Sequence, residues 1–209
     1  QYIFYRVAKD SLERKKICSL KTKYPSYIHS FAVTENFVIL FEYPFLIDIH
    51  KFLFSHKSFI NNFEWKETEN TRITIFEKES GKLVKTTQTT PCFSFHHVNA
   101  FESADRLVVD LSAYPDASVI TAHNSGAYHD NNSSVPQSKL TRYVISLDQR
   151  PVEQYSLFAG NADMPRINDR YNTQDYRYIY SLDLLSPDTD CSFSSIYKTD
   201  TLLSETIRW

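Results

Sequence analysis

Four stretches of the chain repeat one pattern: a run of β-forming residues, a polar turn, and a second run. They span Tyr5–Ile17, Ile73–Val84, Tyr143–Tyr155 and Ile196–Ile207, with turns at Asp10-Ser11, Ser80-Gly81, Asp148-Gln149 and Asp200-Thr201. Alternation broken by such turns predicts β-hairpins. Further strands are predicted at Phe37–Phe41, Leu107–Leu111 and Tyr176–Tyr180. A polar residue recurs at an even interval through this pattern. His29, in Tyr27-Ile-His-Ser-Phe31, precedes His96, in Phe93-Ser-Phe-His-His-Val98, by 67 residues, and His96 precedes Asp163, in Asp163-Met-Pro-Arg-Ile-Asn168, by the same number. Several strands per unit at a period above ~40 residues means repeated small sheets, so the expected class is all-β and the architecture a β-propeller. With only 3 glycines, Asp, Asn and Ser must carry most of the turns.

Two stretches interrupt the pattern. From Ile47 to Phe63, residues Ile49, Phe52, Leu53, Ile60 and Phe63 fall near one helical stripe punctuated by Lys51, His56 and Lys57. This reads as a surface helical insertion or loop packed on the sheet, or as an aromatic patch touching a membrane interface. From Pro115 to Ser138 the chain is rich in Asn, Ser, His and Asp, and a long exposed polar loop is expected, with His123 and His129 solvated.

Composition sharpens this picture in a few places. With 42 % hydrophobic and 15 % aromatic residues in 209, the chain is globular, and one domain over 1–209 is expected. No apolar run reaches the ~18 residues that span a bilayer. The start, Gln1-Tyr-Ile-Phe-Tyr-Arg6, is not a signal peptide, and a strand pattern runs into both ends, as in an internal fragment of a longer protein. A net charge of −2 gives no electrostatic case for nucleic acid. Three distant cysteines, Cys18, Cys92 and Cys191, favour reduced thiols in an intracellular, cytoplasmic setting.

The chemistry rests on the histidines. Neighbouring strand residues face opposite sides, so only one of His96 and His97 can point toward a propeller axis. Two imidazoles from separate units meeting there would suit iron, copper, zinc or nickel; buried, hydrogen-bonded histidines are the alternative.

Three motifs resemble the carotenoid cleavage oxygenases. They are Tyr27-Ile-His-Ser-Phe-Ala-Val-Thr-Glu-Asn36 with Phe41-Glu-Tyr-Pro44; Phe95-His-His-Val-Asn-Ala-Phe-Glu102 with Val108-Val-Asp-Leu111 and Ala113-Tyr-Pro-Asp116; and Met164-Pro-Arg-Ile-Asn168 with Tyr176–Tyr180. The resemblance implies a seven-bladed β-propeller, of which this chain holds about three blades, with Fe(2+) held by four histidines and carboxylates behind three of the rings. On that pattern His29 and His96 match two iron ligands, His97 faces the other way, and Asp163 stands where a glutamate usually hydrogen-bonds a ligand ring. Being one methylene shorter, Asp163 is expected to lose, lengthen or water-bridge that bond. Tyr43 departs from the usual Glu-Gln-Pro, which leaves Glu42 structural. The family's other two histidines fall outside the chain, so this piece alone is expected to bind iron weakly and not to turn over.

The implied activity is a dioxygenase that uses O2 to cleave a conjugated double bond of an apolar carotenoid or apocarotenoid into carbonyl products. Phe95 and Phe31 are the candidates to line the substrate tunnel, and the 47–63 patch is the candidate for peripheral membrane contact. Isomerisation of a retinoid at the same site is one alternative. A non-catalytic β-propeller scaffold is another, mildly favoured by Asp163. No His-Glu-x-x-His occurs, which disfavours a zinc hydrolase.

Overall fold

The computed structural model describes residues 1–125, 136–184 and 193–209. It opens with a hairpin of β1 (Tyr2–Arg6) and β2 (Lys15–Leu20). The first four-stranded sheet runs β3 (Ala32–Val33), β4 (Phe37–Glu42), β7 (Thr71–Glu77), β8 (Leu83–Thr89). Between β4 and β7 lies an excursion of β5 (Phe45–Ile47), α1 (Ile49–Leu53), a 3₁₀ turn (Phe59–Asn62) and β6 (Phe63–Trp65). The second sheet runs β9 (His97–Ser103), β10 (Arg106–Ala113), β11 (Lys139–Ser146), β12 (Glu153–Phe158), with α2 (Ser118–Ser125) between β10 and β11. The third runs β13 (Asp163–Arg166), β14 (Tyr178–Leu184), β15 (Phe193–Asp200), β16 (Glu205–Arg208). Every pairing is antiparallel, and each sheet is an up-and-down meander. These are three propeller blades, as the repeat in the sequence predicts.

Side-chain alternation explains why the sheets stack. Val38 and Leu40 of β4, with Phe76 of β7, pack on Phe4 and Cys18 of the hairpin. Their neighbours Ile39, Phe41, Ile73 and Ile75 point the other way and meet Leu107, Val109, Leu111, Tyr143 and Ile145 of the second sheet. Val108, Leu140 and Val144 leave that sheet's far face to join Ile179 and Tyr197 of the third. Central strands therefore bury both faces and read as continuous apolar runs, whereas the outer strands β8 and β12 are largely exposed.

Each of the first two blades also carries a bidentate ion pair between residues directly opposed on its two middle strands. Arg72 grips buried Glu42 at 2.7 Å through both Nε and Nη2. Arg142 grips buried Asp110 at 2.9 and 2.8 Å, and Tyr176 of the third blade donates its hydroxyl to the same carboxylate. Glu42 thus has a structural role, as expected. Blades one and two are further joined through Glu102, which accepts from Thr34 Oγ1 (2.7 Å), Asn36 N (2.8 Å) and Asn36 Nδ2 (3.0 Å).

Two expectations need correcting. The Pro115–Ser138 stretch is not loop throughout: Ser118–Ser125 is helical, and Val119 and Ile120 are buried in the core between the first two sheets. Asp116 starts that helix by accepting from the Ser118 backbone N–H at 2.7 Å, after which two apolar side chains gain more from burial than a loop would allow. The side chain of His123 and all of His129 lie outside the described residues. The Ile47–Phe63 stretch, for its part, forms no single helical stripe. Asp48 caps α1, accepting from His50 N at 2.9 Å, but the helix ends at Leu53, and the chain re-enters through the 3₁₀ turn. Pairing of β5 with β6, Ile47 opposite Phe63, ties the base of this excursion.

Candidate metal centre

The three residues spaced evenly in sequence occupy equivalent places in the blades. His29 lies just before β3, His96 immediately before β9, and Asp163 begins β13, and these are the inner strands of adjacent sheets. The rings of His29 and His96 stand 5.0 Å apart, centroid to centroid, nearly perpendicular. His29 is exposed and His96 half-buried.

Hydrogen bonds fix the tautomer of each ring. Nδ1 of His29 lies 3.0 Å from the carbonyl oxygen of Phe95, and Nδ1 of His96 lies 2.8 Å from Oδ1 of Asp163. A carbonyl and a carboxylate only accept, so each Nδ1 carries a proton, and in the neutral ring each Nε2 keeps its lone pair. This is the arrangement that prepares an imidazole to bind a metal. His97 is turned the opposite way: its Nδ1 lies 2.8 Å from the Ser30 hydroxyl and its ring 5.5 Å from that of Phe41. Burial, with His96 adding a smaller electrostatic push, lowers its pKa to about 3, so His97 stays neutral.

The shorter Asp163 side chain still reaches His96 directly. The pairing of β13 with β14 slips between Asp163 and Arg166, and Met164 adopts a left-handed φ of 50° within that slip. A bulge of this kind re-aims the neighbouring side chain, at a conformational cost of ~1 kcal/mol. The expected loss, lengthening or water bridging of the bond is thus corrected, and with it the hint toward a scaffold. Asp163 is buried; besides His96 it accepts from its neighbour's backbone, Met164 N, at 2.7 Å and from the Tyr114 hydroxyl at 2.7 Å. Among the described residues no lysine or arginine pairs with it. These donors satisfy the buried carboxylate, and His96 is the one among them that can also carry charge.

Phe95 lies at the hub of the aromatic surround. Its ring contacts those of Tyr27, His29, Phe93, His96 and Tyr114 at 4.8–6.5 Å. Phe31 stands edge-on to Phe4 of the hairpin at 5.1 Å and is half-exposed. The sequence reading missed Ser30, Tyr114 and the Phe95 carbonyl. Ser30 and Tyr114 lay inside the motifs already singled out, but a backbone acceptor leaves no mark in residue type.

The residues fit two positions of a metal site: two imidazoles, each with its Nε2 free of protein partners among the described residues, one backed by a buried acid. No group of three or more His, Cys, Asp or Glu that could hold a metal occurs among the described residues.

Fold and site together define a β-propeller piece with paired histidines on its inner rim. The chain belongs to the retinal pigment epithelial membrane protein family, whose signature it matches over residues 1–209, and so to the carotenoid cleavage oxygenases. It is 32 % identical to the carotenoid isomerooxygenase of Galleria mellonella over 89 % of this chain and 38 % of that protein. It is 27 % identical to mouse β,β-carotene 15,15'-dioxygenase over 92 % of this chain and 40 % of that protein. A point mutant of Synechocystis apocarotenoid oxygenase superposes with a TM-score of 0.76 at 18 % identity, covering 96 % of this chain and 41 % of that one. The chain thus spans about two fifths of the length of these relatives.

Proposed function

We propose that the whole protein is an Fe(2+)-dependent dioxygenase that cleaves a conjugated double bond of a carotenoid or apocarotenoid, with His29 and His96 among the iron ligands. The observation that carries this reading is the pair of imidazoles 5.0 Å apart, each with Nδ1 turned to an acceptor in the protein. The relatives named for carotenoid oxygenation support the substrate class. Ferrous ion held by neutral ligands would supply Lewis acidity and open positions for O2.

The chain's own residues do the positioning. Asp163 and the Phe95 carbonyl hold the two rings at fixed angles. Phe95 offers the apolar wall nearest the histidines and is the stronger candidate to lie along a polyene. Phe31 would line only a part of the path lying toward the hairpin. Leu53 (69 % exposed) and Phe54 (86 %), flanked by Lys51 and Lys57, form the patch proposed to rest on a membrane from the cytoplasmic side and admit an apolar substrate. No described helix is long and apolar enough to cross a bilayer.

The test is turnover of β-carotene and of an apocarotenal by the full-length protein under oxygen-18 gas. Labelled aldehyde or ketone products support the reading; an intact polyene with every substrate tried contradicts it. Because the Galleria relative's name joins isomerisation to oxygenation, the double-bond geometry of the products is scored in the same run.

A further inference from the structure

The structure assigns Tyr114 as a positioning residue for His96, acting through Asp163; we infer that its hydroxyl is what keeps the short carboxylate aimed at the ring. As a claim about metal binding, this deepens and rests on the proposed iron site, but its effect on the ring needs no metal.

Asp163 leans on three donors. His96 Nδ1 and Met164 N share Oδ1, at 2.8 and 2.7 Å, and Tyr114 alone among the described residues donates to Oδ2, at 2.7 Å. Without that hydroxyl Oδ2 has no donor among the described residues, and the carboxylate, held only through Oδ1, can tilt its plane away from the ring. Tyr114 itself is fixed. It is buried, its backbone exchanges two hydrogen bonds with Phe93 (3.0 and 2.7 Å), and its ring packs on Phe93 and Phe95. Phe93 and Phe95 precede His96 on the same strand entry, so one short segment carries both the ring and the anchor of its hydrogen-bond partner. A glutamate would reach the ring with an extra methylene. Here the reach comes instead from the bulge at Met164 and the hydroxyl of Tyr114.

The experiment uses full-length protein with nitrogen-15-labelled histidine, metal-free and at a fixed pH above the histidine range. In the parent protein His96 should show a single Nδ1–H tautomer. Tyr114→Phe keeps the ring and its packing, and is expected to give His96 a mixture of tautomers, as is Asp163→Asn. A Co(2+) titration on the same samples is expected to show about 10-fold weaker binding for Tyr114→Phe, within the ~10–100-fold range for losing a ligand's hydrogen-bond partner. Adding Tyr114→Phe to Asp163→Asn should change neither readout further. The proposal is overturned if Tyr114→Phe lowers only the melting temperature while His96 keeps one tautomer, or if its effect adds in full to that of Asp163→Asn. Should the parent protein take up no Co(2+), the iron reading falls, and the tautomer readout still decides the role of Tyr114.

Discussion

The hydroxyl of Ser30 lies 2.8 Å from Nδ1 of His97, tying the first blade to the inner strand of the second. That hydroxyl also donates to the Phe95 carbonyl at 2.7 Å, so it must accept from His97, whose Nε2 is left buried and without a partner among the described residues.

A pH dependence follows. The folded state holds His97 at about 3, against ~6.5 when unfolded. Between these values only the unfolded chain takes the proton, so stability falls as pH drops below ~6.5 and is unaffected by this group above it. The slope is up to ~1.4 kcal/mol per pH unit, or ~2 kcal/mol between pH 6.5 and pH 5. Urea denaturation of the full-length protein should show this loss, and His97→Gln should flatten it. Parallel profiles for the two proteins would rule the group out.

The buried ion pairs should matter far more than the exposed ones. Asp110→Ala strands Arg142 and the Tyr176 hydroxyl together, and is expected to cost ~3–5 kcal/mol in chemical denaturation. Glu79→Ala removes an equally short contact, 2.8 Å to Arg6, but on an exposed hairpin; its melting curve should overlay the parent's. Equal effects would mean that burial does not set the strength of these pairs.

The proposed membrane contact is now best tested at Phe54. Phe52 meets Phe59 edge-to-face, 5.8 Å away, and is partly buried, whereas Phe54 is 86 % exposed. Phe54→Asp is expected to reduce co-sedimentation with liposomes several-fold and leave the melting temperature unchanged. Undiminished sedimentation would remove the patch from the account.

Much of this was legible in the chain before folding. Hairpins turn where Asp10-Ser11, Ser80-Gly81, Asp148-Gln149 and Asp200-Thr201 stand, because those residues suit turns and their flanks alternate. The 67-residue interval located His29, His96 and Asp163 at the inner strands, because each blade repeats the same path. Helix Ser118–Ser125 escaped notice, since its polar neighbours mask two buried residues in so short an element. The reach of Asp163 escaped for a different reason: it depends on a left-handed backbone at Met164, a residue that gives no sign of one.

The proposed iron site rests on the paired imidazoles of His29 and His96. Iron per chain, counted in full-length protein loaded anaerobically with Fe(2+) and then desalted, gives the most direct test. About one ion is expected to stay with the parent protein and to be lost when His29→Ala and His96→Ala are combined. Retention of iron by the double variant, or its absence from the parent, would contradict the account.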